Sequence, residues 1–151
     1  LVTLDVNYRN KLWSRERALS VLRELVPYVS VVVAGEDEVG IVTDSSPGSL
    51  LDLGVGEVLV KRGAAGATSY TREAGVVDEP AIRVTAVDPI GAGDAFCAGW
   101  ISGWLDGDDV RGRLRRGVVC GAFAVSTHGD SAGLPRRDEL GLLSTTDANV
   151  R

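Results

Sequence analysis

The chain has 151 residues, of which 44% are hydrophobic and 25% charged, which is typical of a globular domain that can bury a sizeable core. Its formal net charge of −5 argues against general affinity for nucleic acid or anionic membranes, but it leaves room for a local basic pocket. No apolar run approaches the ~20 residues of a membrane span, and no secretory signal opens the chain. We therefore expect neither nucleic acid nor a membrane as a partner.

Two further features of the composition suggest where the protein works and how complete the chain is. Cys97 and Cys120 both fall in apolar helical patterns, which predicts buried thiols and a cytoplasmic protein. There is no methionine, and the chain begins inside a strand-like run, residues 1–5. We therefore expect it to be the back part of a longer protein.

The first strand, residues 1–5, is apolar enough to be a buried parallel strand, and a polar loop follows it over residues 5–13. In open α/β sheets, ligands bind at the carboxyl ends of the strands. Arg9 in this loop offers a planar fork of donors that fits a carboxylate or a phosphate. The alternative is an arginine that is simply solvated.

A helix is predicted for residues 15–26, with Ser14 as its N-cap and Pro27 at its end, and one apolar face made by Ala18, Leu19, Leu22, Leu25 and Val26. Residues 30–34 form a short β-branched run and predict a second strand. Glu38 follows this strand. Its carboxylate suits hydrated Mg²⁺, or equally a helix start, and the two interpretations stay open.

Residues 49–55 predict a short helix, and residues 57–66 a strand that ends in a glycine-rich turn. Lys61 lies at the end of this strand, where it faces a phosphate or is a surface charge. Gly63 and Gly66 lie in the turn. Residues 67–71 and 76–78 then predict a hairpin.

The central stretch is Val87-Asp88-Pro89-Ile90-Gly91-Ala92-Gly93-Asp94. Residues 82–87 predict a strand before it, and residues 95–105 a helix after it. The amides that open a helix lack intrahelical partners and favour an anion such as phosphate. Asp94, beside them, suits a general base for phosphoryl transfer to a hydroxyl. The alternative is an ordinary strand–turn–helix junction.

Beyond this stretch the pattern predicts two helices. The first, residues 95–105, is expected to bury Phe96, Ile101, Trp104 and Leu105, with Gly107 as its C-cap. The second, residues 110–126, has small residues on one face, which allow close packing against a neighbouring element or a ligand: Gly117, Cys120, Gly121 and Ala124. The arginines of residues 111–116 are interpreted as a solvated face, and His128 as a loop side chain. Residues 135–143 predict a surface helix and the tail from Ser144 a frayed end.

The central stretch resembles the signature of the ribokinase-like (PfkB) family of carbohydrate kinases. The resemblance implies that Asp94 is the catalytic base and that Gly91, Ala92 and Gly93 form the anion hole. Asp5-Val6-Asn7-Tyr8-Arg9 with Leu12-Trp13 is similar to a segment of 2-keto-3-deoxygluconate kinases, the closest members, in which the arginine holds the acidic substrate. This implies substrate binding by Asn7, Arg9 and Asp94.

Other patches extend the resemblance over most of the chain. Lys61, Gly63 and Gly66 lie in a segment that borders the nucleotide in this family, and residues 122–135 resemble the segment that closes over adenine; Gly93 and Gly121 complete the implied ATP contacts. Glu38 matches a family glutamate that organises magnesium. Two departures stand out, since Gly35 and Val118 occupy positions where members carry asparagine. The resemblance also implies a monovalent cation near Asp88.

The implied fold is α/β, a ribokinase-like layered sandwich with a mostly parallel sheet, present here as its C-terminal part in residues 1–143. The implied activity is ATP-dependent phosphorylation of a sugar or sugar acid, such as 2-keto-3-deoxygluconate, by a homo-oligomeric full-length enzyme. The isolated chain is expected to be inactive. One alternative is a non-catalytic nucleotide-binding module. A dinucleotide-dependent oxidoreductase is disfavoured because Phe96 occupies the place of the third glycine.

Overall fold

A computed structural model describes residues 1–143, which form five β-strands and four α-helices. The strands are β1 (Thr3–Asp5), β2 (Val31–Gly35), β3 (Glu57–Lys61), β4 (Ala67–Thr71) and β5 (Gly75–Glu79). The helices are α1 (Arg15–Leu25), α2 (Val39–Val42), α3 (Ala92–Asp106) and α4 (Val110–Val125). Short 3₁₀ segments occur at Val26–Tyr28, Pro47–Leu53, Gly63–Ala65 and Arg137–Glu139. The tail from Ser144, predicted to be frayed, lies outside the described residues.

The chain divides into two compact units, of which the first comprises Leu1–Gly63 and Ala67–Asp78. The five strands form one sheet in the order β1-β2-β3-β4-β5. β1, β2 and β3 are parallel, whereas β3 and β4 are antiparallel. β2 is buried from Val31 to Ala34, as expected for a parallel strand that is covered on both faces. The predicted α/β class with a mostly parallel sheet is confirmed.

Helix α1 packs into the core of the first unit. It begins where predicted, because the Ser14 hydroxyl accepts a hydrogen bond from the Arg17 amide at 3.3 Å. Ala18 and Leu22 are buried and join a core that includes Val26, Val32, Ile41, Leu50 and Val58. Leu25, predicted to lie on the apolar face, is 44% exposed. The buried apolar face of α1 is therefore narrower than the sequence pattern predicted.

The second unit comprises Ala64–Gly66 and the described residues from Glu79 onward, and the helices α3 and α4 form its centre. A Cβ atom on Gly99 would lie 2.6 Å from the Arg116 carbonyl oxygen, and one on Gly117 would lie 2.9 Å from the Phe96 ring. The small face predicted for α4 therefore packs against α3. Trp100 is 1% exposed, although it was not among the residues predicted to be buried. Trp104 and Leu105 were predicted to be buried but are 40% and 70% exposed.

The predicted strand over residues 82–87 is wrong. The amides of Val87 and Asp88 donate instead to the Val125 carbonyl oxygen, at 2.7 and 3.2 Å, so these donors are satisfied by the end of α4. The helix predicted over residues 135–143 is only the 3₁₀ turn Arg137–Glu139, and the one predicted over residues 49–55 is the 3₁₀ segment Pro47–Leu53. In the part of the chain described here, no helix is long and apolar enough to cross a membrane.

The interpretation of residues 111–116 as a solvated arginine face is only partly right, since the side chain of Arg111 is 63% exposed but that of Arg116 only 17%. The Glu79 carboxylate, which is almost fully buried, pairs with Arg115 at 2.8 Å and with Arg111 at 3.4 Å. Arg116 pairs with Asp106 and Asp108. The Arg113 guanidinium lies 5.5 Å from the centre of the Trp100 ring. The arginines of this segment therefore contact acidic and aromatic side chains of neighbouring segments.

The two thiols differ in burial. Cys120 is buried as predicted, and burial raises the pKa of its thiol. Cys97 is only partly buried, so that half of the prediction is wrong.

Candidate functional site

The loop that follows β1, here called the first loop (residues 5–13), lies at the carboxyl end of the parallel strands, as predicted. The Val6 amide donates to the Val33 carbonyl oxygen at 2.9 Å, which continues the β1–β2 pairing. Asn7 then turns the backbone with φ = 38°, the only non-glycine residue with positive φ among those described. The Tyr8 hydroxyl donates to the Trp13 carbonyl oxygen at 3.3 Å and closes the loop. Arg9 lies between these anchors and is exposed.

Glu38 connects the first loop to the end of β2. Its Oε1 accepts a hydrogen bond from the Tyr8 amide and its Oε2 one from the Gly35 amide, both at 2.7 Å. A carboxylate has about four lone-pair positions, so about two remain for a water-mediated contact with Mg²⁺. Residues 1–143 contain no cluster of three or more acidic, histidine or cysteine side chains that could hold a metal. Glu38 therefore fits as one contact of a magnesium ion whose other contacts would come from the bound ligand.

Lys61, at the end of β3, forms an ion pair with Asp5, at the end of β1. Its Nζ lies 3.0 Å and 3.2 Å from the two carboxylate oxygens, and the two side chains are 20% and 22% exposed. The pair spans β2, since Asp5 is opposite Val33 and Lys61 is opposite Gly35 in the register. Lys61 is thus not a free surface charge. Sequence reasoning missed Asp5 as its partner, although opposite charges that end two buried strands were a usable signal.

The two glycines of the turn after β3 differ in their surroundings. A Cβ on Gly63 would meet nothing within 4 Å, so this position is open. Gly66 has φ = 98°, and its Cβ would lie 2.1 Å from the Glu79 carbonyl oxygen. The need for glycine at position 66 is explained by packing within the chain itself.

The central stretch is a turn that Asp88 holds closed. Its two carboxylate oxygens accept hydrogen bonds from the Ile90 amide at 3.0 Å and the Gly129 amide at 3.2 Å. These two bonds hold the pKa of the Asp88 carboxyl below its usual range, and the nearby His128 charge lowers it further. His128 is an exposed loop residue, as predicted.

Gly91 ends the turn and caps α3. It has φ = 77°, and a Cβ there would lie 2.6 Å from the Asp130 carbonyl oxygen. Both the backbone conformation and the approach of the loop at residues 129–130 therefore require glycine. The closeness of Asp130 was not predicted, and the sequence separation of 39 positions gave no signal for it.

Helix α3 begins at Ala92 and leaves donors free for an anion. The Ala95 amide donates to the Gly91 carbonyl oxygen at 2.8 Å, and the Ala92 amide reaches Pro89 only at 3.4 Å. The amides of Gly93 and Asp94 have no carbonyl one turn earlier within the helix, and they lie at the positive end of its dipole. The Asp94 side chain is exposed in this first turn. An exposed carboxylate thus stands next to a set of free amides.

Two residues of α4 that the resemblance singled out, Gly121 as an ATP contact and Val118 as a departure, are placed by helix packing. A Cβ on Gly121 would lie 3.5 Å from the Ala92 carbonyl oxygen, so Gly121 packs beside the first turn of α3. Val118, where the family carries asparagine, is 7% exposed and belongs to the buried face of α4.

Comparison with known proteins identifies relatives over nearly the whole chain. It is 33% identical to the 2-dehydro-3-deoxygalactonokinase of Haloferax volcanii, over 97% of this chain and 48% of that protein. It is 31% identical to the 2-dehydro-3-deoxygluconokinase of Bacillus subtilis, over 92% of this chain and 45% of that protein. The chain thus spans about half the length of the curated relatives it matches.

Solved structures confirm the ribokinase-like fold. The crystal structure described as a Ribokinase II from E. coli, in complex with ATP and Mg²⁺, superposes with a TM-score of 0.86 at 29% identity, over 95% of this chain and 48% of that one. An aminoimidazole riboside kinase from Salmonella enterica gives a TM-score of 0.81, also at 29% identity, over 93% of this chain and 51% of that one. Residues 2–137 match the family described as pfkB family carbohydrate kinase. The family resemblance drawn from the motifs is confirmed, and the chain belongs to the pfkB family of carbohydrate kinases.

Proposed function

We propose that residues 1–143 form the ATP-binding and catalytic C-terminal portion of a kinase that phosphorylates a hydroxyl of a sugar acid, with 2-keto-3-deoxygluconate as the leading candidate. One observation carries the proposal: the exposed Asp94 carboxylate lies beside the free amides that open α3. The names of the relatives from Haloferax volcanii and Bacillus subtilis support a keto-deoxy sugar acid. The chain spans about half the length of these two relatives, so the activity is proposed for the full-length protein.

In this proposal Asp94 accepts the proton of the attacking hydroxyl, while the backbone of Gly91, Ala92 and Gly93 stabilises the charge that develops on the transferred phosphoryl group. Asp94 has a short side chain and lies in the first turn of a helix, so the backbone keeps its carboxylate close to the amides. Phosphoryl transfer depends mainly on such positioning and on charge stabilisation.

ATP and Mg²⁺ are the proposed cofactors, because the structurally similar Ribokinase II was crystallised with both. Lys61, Gly63, Gly66, Gly93 and Gly121 are the proposed nucleotide residues. Bound Mg²⁺ would neutralise charge on the phosphates, and Glu38 is the residue of this chain that would contact its water shell. A monovalent cation near Asp88, a homo-oligomeric full-length protein and a cytoplasmic location belong to the same proposal and rest on the family resemblance.

Arg9 and Asn7 are the proposed substrate residues of the first loop. Arg9 is exposed and lies in a loop that is anchored on both sides, so its guanidinium is available for a bidentate contact with a carboxylate. A neutral sugar would not use this contact. The proposed specificity for a sugar acid therefore depends on Arg9.

The test is an ADP-release assay of the full-length protein with sugar acids and their neutral analogues. We expect the acid to be the better substrate, and Arg9→Lys to reduce kcat/KM for the acid by about tenfold or more, because a point charge does not replace a planar fork. An equal loss for acid and neutral substrates would reject the specificity. ATP binding without turnover of any sugar would favour the alternative, a non-catalytic nucleotide-binding module.

A further inference from the structure

Glu38 makes contacts in this structure beyond the proposed contact with the water shell of magnesium. We infer that Glu38 is a positioning residue for the first loop, and that its carboxylate fixes the backbone that carries Arg9. Its two oxygens accept the Tyr8 amide and the Gly35 amide at 2.7 Å each, across 30 and 3 positions of sequence. Hydrogen bonds of this length to a charged acceptor are the strong kind.

Glu38 turns back toward the end of β2. Its amide donates to the Gly35 carbonyl oxygen at 3.0 Å, and its Oε2 accepts the Gly35 amide at 2.7 Å. A Cβ at position 35 would lie 3.3 Å from Oε2 and 2.8 Å from Oδ1 of Asp37, both at the ends of flexible side chains. Glycine at this position therefore leaves room for the carboxylate between the strand end and the loop.

The first loop needs such an anchor because of its backbone. Asn7 has φ = 38°, in the left-handed region that side-chain-bearing residues adopt at a cost, although asparagine tolerates it best. The next amide, that of Tyr8, is the one that Glu38 binds. The hydrogen bond therefore holds the backbone immediately after its least favourable residue. Arg9 follows by one position, and its carbonyl oxygen accepts the Leu12 amide at 2.9 Å.

The consequence for ligand binding rests on the proposed function, in which Arg9 binds the substrate carboxylate. Without Glu38 the loop would sample other conformations, and ordering it would reduce affinity for the acid. This effect is separate from the proposed magnesium contact of Glu38, because both hydrogen bonds join groups of the protein itself. Loop order in metal-free protein, and affinity for the acid at saturating Mg²⁺, therefore report on positioning rather than on metal binding.

The experiment compares Glu38→Ala with Glu38→Gln in the full-length protein. Glu36→Ala is the matched control, because Glu36 is an exposed acid on the same turn. Two quantities are measured: amide hydrogen exchange of the peptide that covers residues 6–13 in metal-free protein, and the KM for the sugar acid at saturating Mg²⁺. Glutamine retains an acceptor without the charge, so it should preserve the positioning in part.

For Glu38→Ala we expect faster exchange in residues 6–13 and a KM for the acid that is raised about tenfold or more, the loss typical of a hydrogen bond to a charged group. Glu38→Gln should recover part of the affinity, and the control should stay near wild type. Unchanged exchange of residues 6–13 in Glu38→Ala would overturn the inference, and so would an unchanged KM for the acid at saturating Mg²⁺. If the wild type phosphorylates no sugar acid, the proposed function fails and hydrogen exchange alone decides the role of Glu38.

Discussion

Asp5 and Lys61 join the ends of two strands that are not neighbours, with Nζ 3.0 Å from the nearer carboxylate oxygen and β2 between them. Both side chains are about four-fifths buried, so water screens this pair less than it screens an exposed one. The pair also connects the start of the first loop with the start of the glycine-rich turn at Gly63. It therefore ties together the two loops that we assign to substrate and nucleotide.

We expect Lys61→Met to reduce the free energy of unfolding by about 2 kcal/mol, between the values for exposed and buried pairs, because it leaves the Asp5 carboxylate without this partner. A double-mutant cycle with Asp5→Asn, followed by urea unfolding, isolates the pair. Arg72→Met is the control, since Arg72 and Asp52 form a pair whose side chains are 66% and 77% exposed. A coupling no larger than that of the control pair would show that Lys61 and Asp5 do not stabilise the fold.

Asp94→Asn should lower kcat of the full-length protein by about 10²–10⁴, the range for removal of a positioned general base. The substitution preserves size and leaves the helix start intact, so nucleotide affinity should be unchanged. Steady-state ADP release and nucleotide titration measure the two effects. A kcat close to that of the wild type would exclude Asp94 as the base.

Gly91→Ala should destabilise the protein by about 2 kcal/mol or more and abolish most activity, because it adds left-handed strain to a clash with the Asp130 backbone. Gly121→Ala is the matched control on α4. A Cβ there would be 3.5 Å from the Ala92 carbonyl oxygen, an ordinary contact, so we expect a change within about 0.5 kcal/mol. Thermal unfolding compares the two variants. Equal effects would mean that the loop at residues 129–130 yields to the added methyl group.

Asp88 should make the turn pH-dependent. Its pKa is lowered by the bonds from the Ile90 and Gly129 amides, so its ionised form stabilises the folded state. That contribution is present above the unfolded-state pKa and is lost as the pH falls through the lower folded-state pKa. The difference in unfolding free energy between wild type and Asp88→Asn should shrink from about pH 4 to 2, relative to its value at about pH 5. A difference independent of pH would contradict these two hydrogen bonds.

The turn and the caps were predictable from sequence because their determinants are local. Ser14, Pro27 and Gly107 act within a few residues of their own positions, and the glycines and proline of the central stretch define its turn. The chemistry proposed for Asp94 also follows from its neighbours in sequence. The sequence alone therefore locates the central stretch and the start of α3.

Contacts between distant segments were not predictable in the same way. Residues 82–87 have the composition of a strand, but a strand needs a neighbour, and the amides at the end of this run bind Val125 instead. The sequence indicates a helix-start acid or a metal ligand at Glu38. Its hydrogen bond from the Tyr8 amide was not predictable, because it depends on the pairing of β1 with β2. The burial of Trp100 rather than Trp104 depends on which face of α3 meets α4.

The close packing of α3 and α4 has a genetic consequence. Every missense change in a glycine codon adds a Cβ atom, and at Gly99, Gly103 and Gly117 that atom would lie 2.6 to 2.9 Å from Arg116, Arg113 or Phe96. At Gly99 and Gly103 the nearest atoms belong to the backbone, which does not move aside as a flexible side chain does. Few substitutions at these three glycines should therefore give a folded protein. In a library that randomises α3 and α4, variants at these positions should be eliminated first, whereas variants at Gly121 should be tolerated.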